Sequence, residues 1–454
     1  MPDLSIYSVL LVATGILLFA FLFYAAVISL LERENRAAVR ALLLLPVTIL
    51  FIAPVFFVEY YGEWPVMGML FISWFLIILL IFPTRFFERK ITRYDPVGQI
   101  NEKNVMFSRN LLEPGTERYK EYYKEFPDHE APDDYFRSKP GLLNEHAAFY
   151  DPFAFNTASA ILNSVKAFHP IVDGDPAQKI SDIDPGKIAS YVRKWMLREG
   201  AVSVGFTETH DYHWYSVIGR GDDFGKRAQL PHSHAIAFAV EMDKEFVDTA
   251  PHAPTVIESA HQYMRAAVIA TEVAMILRKL GYHARAHIDG NYRVVCPLVA
   301  RDAGLGEIGR MGILMTPSLG PRVRIAVVTT DMPLPKSSKH DYSHMIKFCR
   351  ICKKCADVCP SKAISFDDRK AINGVKRWQT DQEECFTYWC IAGTDCGKCM
   401  SDCPYSHPNN LFHNVIRTLI KNSIIFRHFA VKMDDFFYGR KPKPAPVFGW
   451  MKSE

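Results

Sequence analysis

Outside one stretch of 55 residues the chain has almost no cysteine. Cys296 stands alone, and the other nine of ten lie between Cys349 and Cys403. So uneven a distribution excludes a disulfide framework spread over the fold and points to metal ligation in a reducing setting. A strong net charge is lacking too, at +4 over 454 residues, and no basic run occurs in the polar part. Composition therefore gives no electrostatic footprint for nucleic acid. Internal repeats and low-complexity tracts are absent, so solenoid and linker-like architectures drop out. Apolar material is not short: 49% of residues are hydrophobic, enough for a large core in two or three domains.

Three N-terminal runs nearly lack charge: Leu4–Leu31, Ala41–Val58 and Pro65–Phe82. Each approaches the roughly 20 residues that cross a bilayer. A cleaved signal peptide fits the first run poorly, because no basic segment precedes it and two more runs follow. No twin-arginine export signal precedes it either. Arg33, Arg36 and Arg40 lie between the first two runs, and Arg85, Arg89, Lys90 and Arg93 follow the third. The loop between the second and third carries only Glu59 and Glu63. Basic short loops stay on the cytoplasmic side, so the reading is a multi-pass inner-membrane protein, anchored in membrane lipid, with everything after about residue 84 cytoplasmic.

What the chain does have is a pair of cysteine motifs. Cys349, Cys352, Cys355 and Cys359 precede Pro360, and Cys396, Cys399 and Cys403 precede Pro404, with Cys385 and Cys390 upstream. Three close thiolates and a fourth before proline is the bacterial ferredoxin spacing, in which the fourth thiolate reaches across to another cluster. Two such runs predict two 4Fe-4S clusters. Zinc would use two short knuckles and has no need of a third thiolate or a Cys-Pro end.

Between the spans and the clusters, residues 85–150 are polar, show no clear apolar period, and read as an irregular wrapping segment. Regular patterning begins at Asp184: a helix from Pro185 to Arg198 ended by Gly200, and strands Val202–Thr207 and Ala235–Val240. A helix over Thr255–Leu280 capped by Gly281 follows, then strands Ala284–Ile288 and Val323–Thr330. Strands alternating with helices predict an α/β or α+β domain. Within it Gly304-Leu-Gly-Glu307-Ile-Gly-Arg310-Met-Gly312 is the distinctive loop, and glycines let backbone approach a large ligand.

From about Asp184 to the C-terminus the sequence resembles the corrinoid-dependent reductive dehalogenases. The resemblance rests on Leu280-Gly-Tyr-His-Ala284, the Ala303–Glu307 loop with Arg310, Gly320-Pro-Arg-Val-Arg324, both cysteine motifs, and Cys385-Phe-Thr-Tyr-Trp389. The tail Asp434-Asp-Phe-Phe-Tyr-Gly439 and Trp450 are similar to the family's C-terminal lid. The resemblance implies an α+β fold with a nitroreductase-like core holding a cobamide, joined to a ferredoxin-like two-cluster module. The absence of a cobalamin-binding Asp-x-His-x-x-Gly motif agrees, since Asp211-Tyr-His213 lacks its glycine.

Residue by residue, the resemblance makes Tyr263 the donor of a proton to the substrate carbon and Arg324 its neighbour. Asp289 falls where members vary and is a second acid. Gly304, Gly306, Glu307, Arg310 and Gly312 are implied to shape the corrinoid site. Cys349, Cys352 and Cys355 pair with Cys403 for one cluster; Cys359 joins Cys396, Cys399 and an upstream cysteine, Cys385 in preference to Cys390, for the other. The expected organisation is a three-span anchor (1–84), a wrapping segment (85–183), a cobamide-binding core (184–340), a two-cluster module (341–410) and a lid (411–454).

Exported members dock to a separate small membrane subunit, whereas here the spans are fused in front. An organohalide substrate and a quinone or low-potential ferredoxin or flavodoxin donor are implied. Two rival readings are an epoxyqueuosine reductase-like enzyme and a membrane-bound iron–sulfur electron carrier without chemistry of its own.

Overall fold

The computed structural model describes residues 5–88, 91, 95–337, 340–372 and 374–451. Leu4, Arg89, Lys90 and Arg93, used above for the first span and for orientation, lie outside the described residues. The chain forms two compact units, residues 1–90 with 409–442, and residues 91–408 with 443–454.

In the first unit, three helices among the described residues are long and apolar enough to cross a membrane: Ile6–Leu31, Asn35–Phe56 and Trp64–Ile81. The second starts six residues before the apolar run, because Arg36 and Arg40 occupy helical turns ahead of the hydrophobic stretch. Ser5 caps the first helix by accepting from the Ser8 amide. Ala25, Ala26, Ala37, Ala38 and Ala41 are buried. A Cβ on Gly15 would lie 3.1 Å from Ile52. Small residues of this kind let helices approach where apolar surface alone drives nothing together.

The segment read as one lid over 411–454 is divided. Helices Leu411–Asn422 and Ile424–Phe437 belong to the first unit, where Phe412 and Phe437 pack on Ala25, Ala26 and Ala41. Glu32 accepts from His413 Nε2 at 3.0 Å and from Asn410 Nδ2 at 2.6 Å, and Arg427 pairs with Glu88 at 2.8 Å. Residues 443–451 belong to the second unit, where Ala445 donates its amide to the Asp248 carbonyl and Met451 is buried beside Ala253 and Val256. The amphipathic faces of the two helices carried the division, and a tail motif could not show it.

The second unit is built on an antiparallel sheet of β1 (Ala201–Glu208), β2 (His234–Glu241), β3 (Ala284–His287) and β4 (Val323–Thr330), in the order β1-β2-β4-β3. Both faces are covered. Ile236, Phe238 and Val240 of β2, with Ala326 and Val328 of β4, face the helices Pro185–Arg198 and Ala253–Lys279. Ala235, Ala237 and Ala239, with Val323 and Val327, pack with the helix Cys296–Asp302 and Trp214. A two-sided core explains why the β2 sequence is a continuous apolar run without alternation.

Part of the segment read as irregular (85–150) is helical, at Met106–Asn110, Glu117–Glu125 and Glu130–Arg137, and a further helix, Pro152–Lys166, follows it. The segment's apolar face is made of Tyr119, Tyr122, Tyr123 and Phe126, a helical period hidden by phenols. Buried Arg109 bonds Asp133, with Nε at 3.0 Å from Oδ2, and reaches Glu383 at 2.6 Å on the helix Gln382–Ala392. That helix carries Cys385, so the wrapping segment grips part of the cysteine region.

Two buried histidines flank one hydroxyl. His232 Nδ1 and His287 Nε2 each lie 2.8 Å from Thr329 Oγ1. Burial lowers His232 to about 4 and His287 well below its usual value. With folded-state values depressed, the unfolded chain binds protons first, so stability is full above about pH 6.5 and is lost as pH falls toward about 4. A thermal unfolding midpoint that drops from pH 7 to pH 5, and drops less in His232→Gln, is expected by calorimetry. An unfolding midpoint equal at both pH values would refute it.

Candidate active site

The cysteine region winds through left-handed turns. The helix Ser343–Cys352 bears Cys349 and Cys352, and Lys353 (φ 56°) breaks it before Lys354–Val358 bears Cys355. Cys396 (φ 58°) and Gly397 (φ 73°) turn the second motif. All ten cysteines are free thiols.

Their mutual influence sorts them into two sets. Burial raises the Cys403 thiol, and Cys349, Cys352 and Cys355 raise it further. Burial likewise raises Cys399, with added contributions from Cys396, Cys385, Cys355 and Cys359. Cys396 is pushed up to about 12, by burial first and then by Cys385, Asp395 and Cys359. Cys385 is pushed up to about 11, by burial and then by Cys359.

Cys390, also pushed up to about 11, responds to burial alone. It packs with Met106, Phe136 and Phe386 instead of with thiols. Cys349, Cys352, Cys355 and Cys403 thus form one set, and Cys359, Cys385, Cys396 and Cys399 the other. Eight crowded thiols, five of them buried and three half-buried, are an unfavourable place for thiolate charge unless iron compensates it, which is the donor chemistry an iron–sulfur cluster requires.

Beside the second set lies a cavity of about 840 Å³, lined by Tyr263, Asp289, Tyr292, Cys385, Trp389 and Gly312 among others. Its size and largely apolar wall fit a bulky cofactor or ligand, since such sites span roughly 300–1,000 Å³. None of the four thiols of the first set lines it. Glu307 and Gly312 are on its wall, whereas Gly304, Gly306 and Arg310 are behind it. A Cβ on Gly306 would strike the Met315 carbonyl oxygen at 1.9 Å, so that glycine serves the packing of the loop. Arg310 is buried and donates to the carbonyls of Cys349 (3.2 Å), Ser365 and Asp367 (both 2.7 Å) while lying over Trp378. It clamps the first cysteine motif.

Tyr263 projects from the long helix Ala253–Lys279, and Arg324 comes from β4. The Arg324 guanidinium carbon lies 5.0 Å from the Tyr263 ring centroid, within cation–π range. Burial pushes the Tyr263 phenol well above its ordinary value; Arg324 opposes this, and Asp289 and Asp395 add to it. The net direction is up, so Tyr263 holds its proton, while the arginine beside it favours the anion. Asp289 is raised by burial, with Arg220 and Arg324 pulling it down. The three residues inferred by resemblance therefore do share one neighbourhood.

Other participants left no local signal in the sequence. Arg220 lies 4.7 Å over Tyr292 and forks onto Glu102 at 3.0 and 2.9 Å. Ser259 and Asp395 both contact Arg324. His213 is buried and hydrogen-bonded to Asp302 at 2.9 Å and to the His210 amide, a structural role for the Asp211-Tyr-His213 sequence.

Residues 348–407 match the 4Fe-4S dicluster domain family. The tetrachloroethene reductive dehalogenase of Sulfurospirillum multivorans is 35% identical over 216 residues, covering 46% of this chain and 42% of that protein. Over that stretch the chain is homologous to the reductive dehalogenases. Solved reductive dehalogenases share its fold. The catabolic reductive dehalogenase NpRdhA in complex with 3-bromo-4-hydroxybenzoic acid is 28% identical, covers 62% of this chain and 42% of its own, and superposes with a TM-score of 0.57. A reductive dehalogenase solved with reference to B12-dependent dehalogenation is 25% identical over 77% of this chain and 49% of its own, with a TM-score of 0.61. The chain spans less than half the length of the curated relative and of both solved chains.

Proposed function

We propose that this chain is a membrane-anchored reductive dehalogenase that replaces the halogen of an organohalide by hydrogen. The net reaction takes two electrons and one proton, forms a C–H bond, and releases halide. One observation carries the reading: the cavity that exposes buried, protonated Tyr263 is also lined by Cys385 of the second thiol set. Under this reading a proton source and an electron source would share one space, in a chain similar to reductive dehalogenases over about half its length.

When bound, two 4Fe-4S clusters on the eight thiols would supply low-potential electrons and a cobamide in the cavity would supply the cobalt centre that acts on the carbon–halogen bond. The core that holds them is read as nitroreductase-like, with Glu307 and Gly312 on the cofactor wall and Gly304, Gly306 and Arg310 supporting it. The chain's own residues do the rest. The largely apolar lining limits the water that could reach the substrate, which would protect a low-potential site from competing protonation. Tyr263 holds a proton at its phenolic oxygen and gives it to the substrate carbon. Arg324 stabilises the phenolate that results, and Asp289, whose carboxyl burial pushes up, is the second acid on the same cavity wall.

Anaerobic reconstitution of the full chain in detergent with iron, sulfide and cobalamin tests this reading. A retained corrinoid band beside the cluster absorbance is expected. Protein that retains iron and sulfide but no corrinoid would be an electron carrier, and the reading would fail.

The spans and their basic flanks support an inner-membrane location with the second unit cytoplasmic, fed by a quinone or a ferredoxin- or flavodoxin-type donor. A reporter fused after Glu454 should be active in the cytoplasm; activity on the far side would overturn the orientation.

A further inference from the structure

The second cysteine motif lies along the same stripe of helix that presents Tyr263. The Thr394 hydroxyl donates to the carbonyl of Pro251, just ahead of the helix, at 2.7 Å. A Cβ on Gly397 would meet the Thr255 methyl at 2.6 Å, so only glycine allows the approach. Asp395 accepts from the Ser259 hydroxyl at 2.5 Å. Thr255, Ser259 and Tyr263 recur every fourth residue, one above the other on a helix.

The contact at Ser259 is closed into a ring by Arg324. Its Nη2 donates to Asp395 Oδ2 at 2.7 Å and to Ser259 Oγ at 2.5 Å, and its guanidinium carbon lies over the Tyr263 ring. Arg324 and Asp395 side chains are each 13% exposed. Charge-assisted hydrogen bonds of this kind fix geometry as well as charge. Asp395 immediately precedes Cys396 of the second thiol set.

We propose that Asp395, with Ser259, is the positioning residue that holds Arg324 over Tyr263, and that it couples the second cluster to the proton donor through one shared carboxylate. The inference rests on the reading of Tyr263 as that donor. Asp395 touches neither substrate nor cofactor in this role. Its negative charge beside Cys396 balances the guanidinium that would otherwise face the cluster alone. Without it, the guanidinium would lose its anchor over the phenol, and the second cluster would sit beside an uncompensated positive charge, which makes reduction easier.

The test uses Asp395→Asn in the full, reconstituted chain. Iron content should equal wild type. In a redox titration followed by electron paramagnetic resonance, the second cluster's midpoint should become less negative while the first cluster's does not move. Halide-release kcat should fall by about tenfold or more with KM nearly unchanged, and in an Arg324→Ala background the same substitution should cost less than about twofold, because both changes remove one interaction.

A wild-type kcat in Asp395→Asn, or an undiminished loss in the Arg324→Ala background, would overturn the proposal. Should Asp395→Asn fail to retain iron, Ser259→Ala carries the test: a smaller fall in kcat that vanishes in Arg324→Ala supports it, and no fall overturns it. Absence of halide release from the wild type would instead sink the dehalogenase reading, and the selective shift of the second cluster's midpoint remains measurable in that case.

Discussion

Replacing Tyr263 by Phe is expected to lower halide release by about 10²–10⁴-fold, the range a positioned general acid contributes. The substitution removes one oxygen and leaves the ring that Arg324 covers. Volume is nearly conserved, so the helix and its core contacts should stay in place. Iron content, corrinoid retention and unfolding midpoint should therefore match wild type, which separates loss of the proton from loss of the fold. Because burial holds the phenol above its ordinary value, Tyr263 remains protonated throughout the neutral and mildly alkaline range. Wild-type activity should show no decline attributable to this group below about pH 10. Turnover near the wild-type rate in Tyr263→Phe would remove Tyr263 from the reaction.

Under the proposed function, in which each set of four thiols would hold one cluster, Cys385→Ser should cost about half of the iron bound per chain, with loss of one of two cluster signals. Cys390→Ser should leave the iron content unchanged. The two residues lie on one helix five positions apart, which turns their side chains to different faces. Cys385 faces Cys359 and Cys396, while Cys390 faces Met106, Phe136 and Phe386. Halide release should vanish in Cys385→Ser, since that thiol belongs to the set beside the cavity. Equal iron in both variants, measured by metal analysis of purified protein, would contradict the sorting.

These contrasts show which parts of the molecule could be read from one dimension. The helix Pro185–Arg198 was legible to the residue, because its end signals are local: the Asp184 side chain caps the Lys187 amide and Gly200 takes φ 103°. Strand Val323–Thr330 was legible at both ends, and the long helix, expected over Thr255–Leu280, runs from Ala253 to Lys279. The helices between 106 and 137 were not, because tyrosines do the work of aliphatic residues and are scored as polar. The choice between Cys385 and Cys390 depended on which helix face the wrapping segment covers. Arg310 belonged to the glycine loop by sequence, yet its long side chain reaches the first cysteine motif further along the chain, at the Cys349 carbonyl. The ring of Ser259, Arg324 and Asp395 joins residues 65 and 71 positions apart, beyond any local pattern.

The relation between the two thiol sets and the cavity gives the proposed electron flow a direction. Cys355 of the first set raises Cys399 of the second, so the sets adjoin. Only the second reaches the cavity wall, through Cys385. Under the proposed function, electrons would enter at the first set and leave from the second, with Asp395 beside the point of exit.

The most direct measurement is halide released against electrons consumed by the full chain, reconstituted with iron, sulfide and cobalamin and supplied with a low-potential chemical donor. Substrates should include a chloroethene and a brominated hydroxybenzoate. One halide released for each two electrons, from at least one of these organohalides and abolished in Tyr263→Phe, is expected. Electron uptake without halide release from a protein that carries both clusters and corrinoid would contradict the assignment of this cavity as a site of reductive dehalogenation.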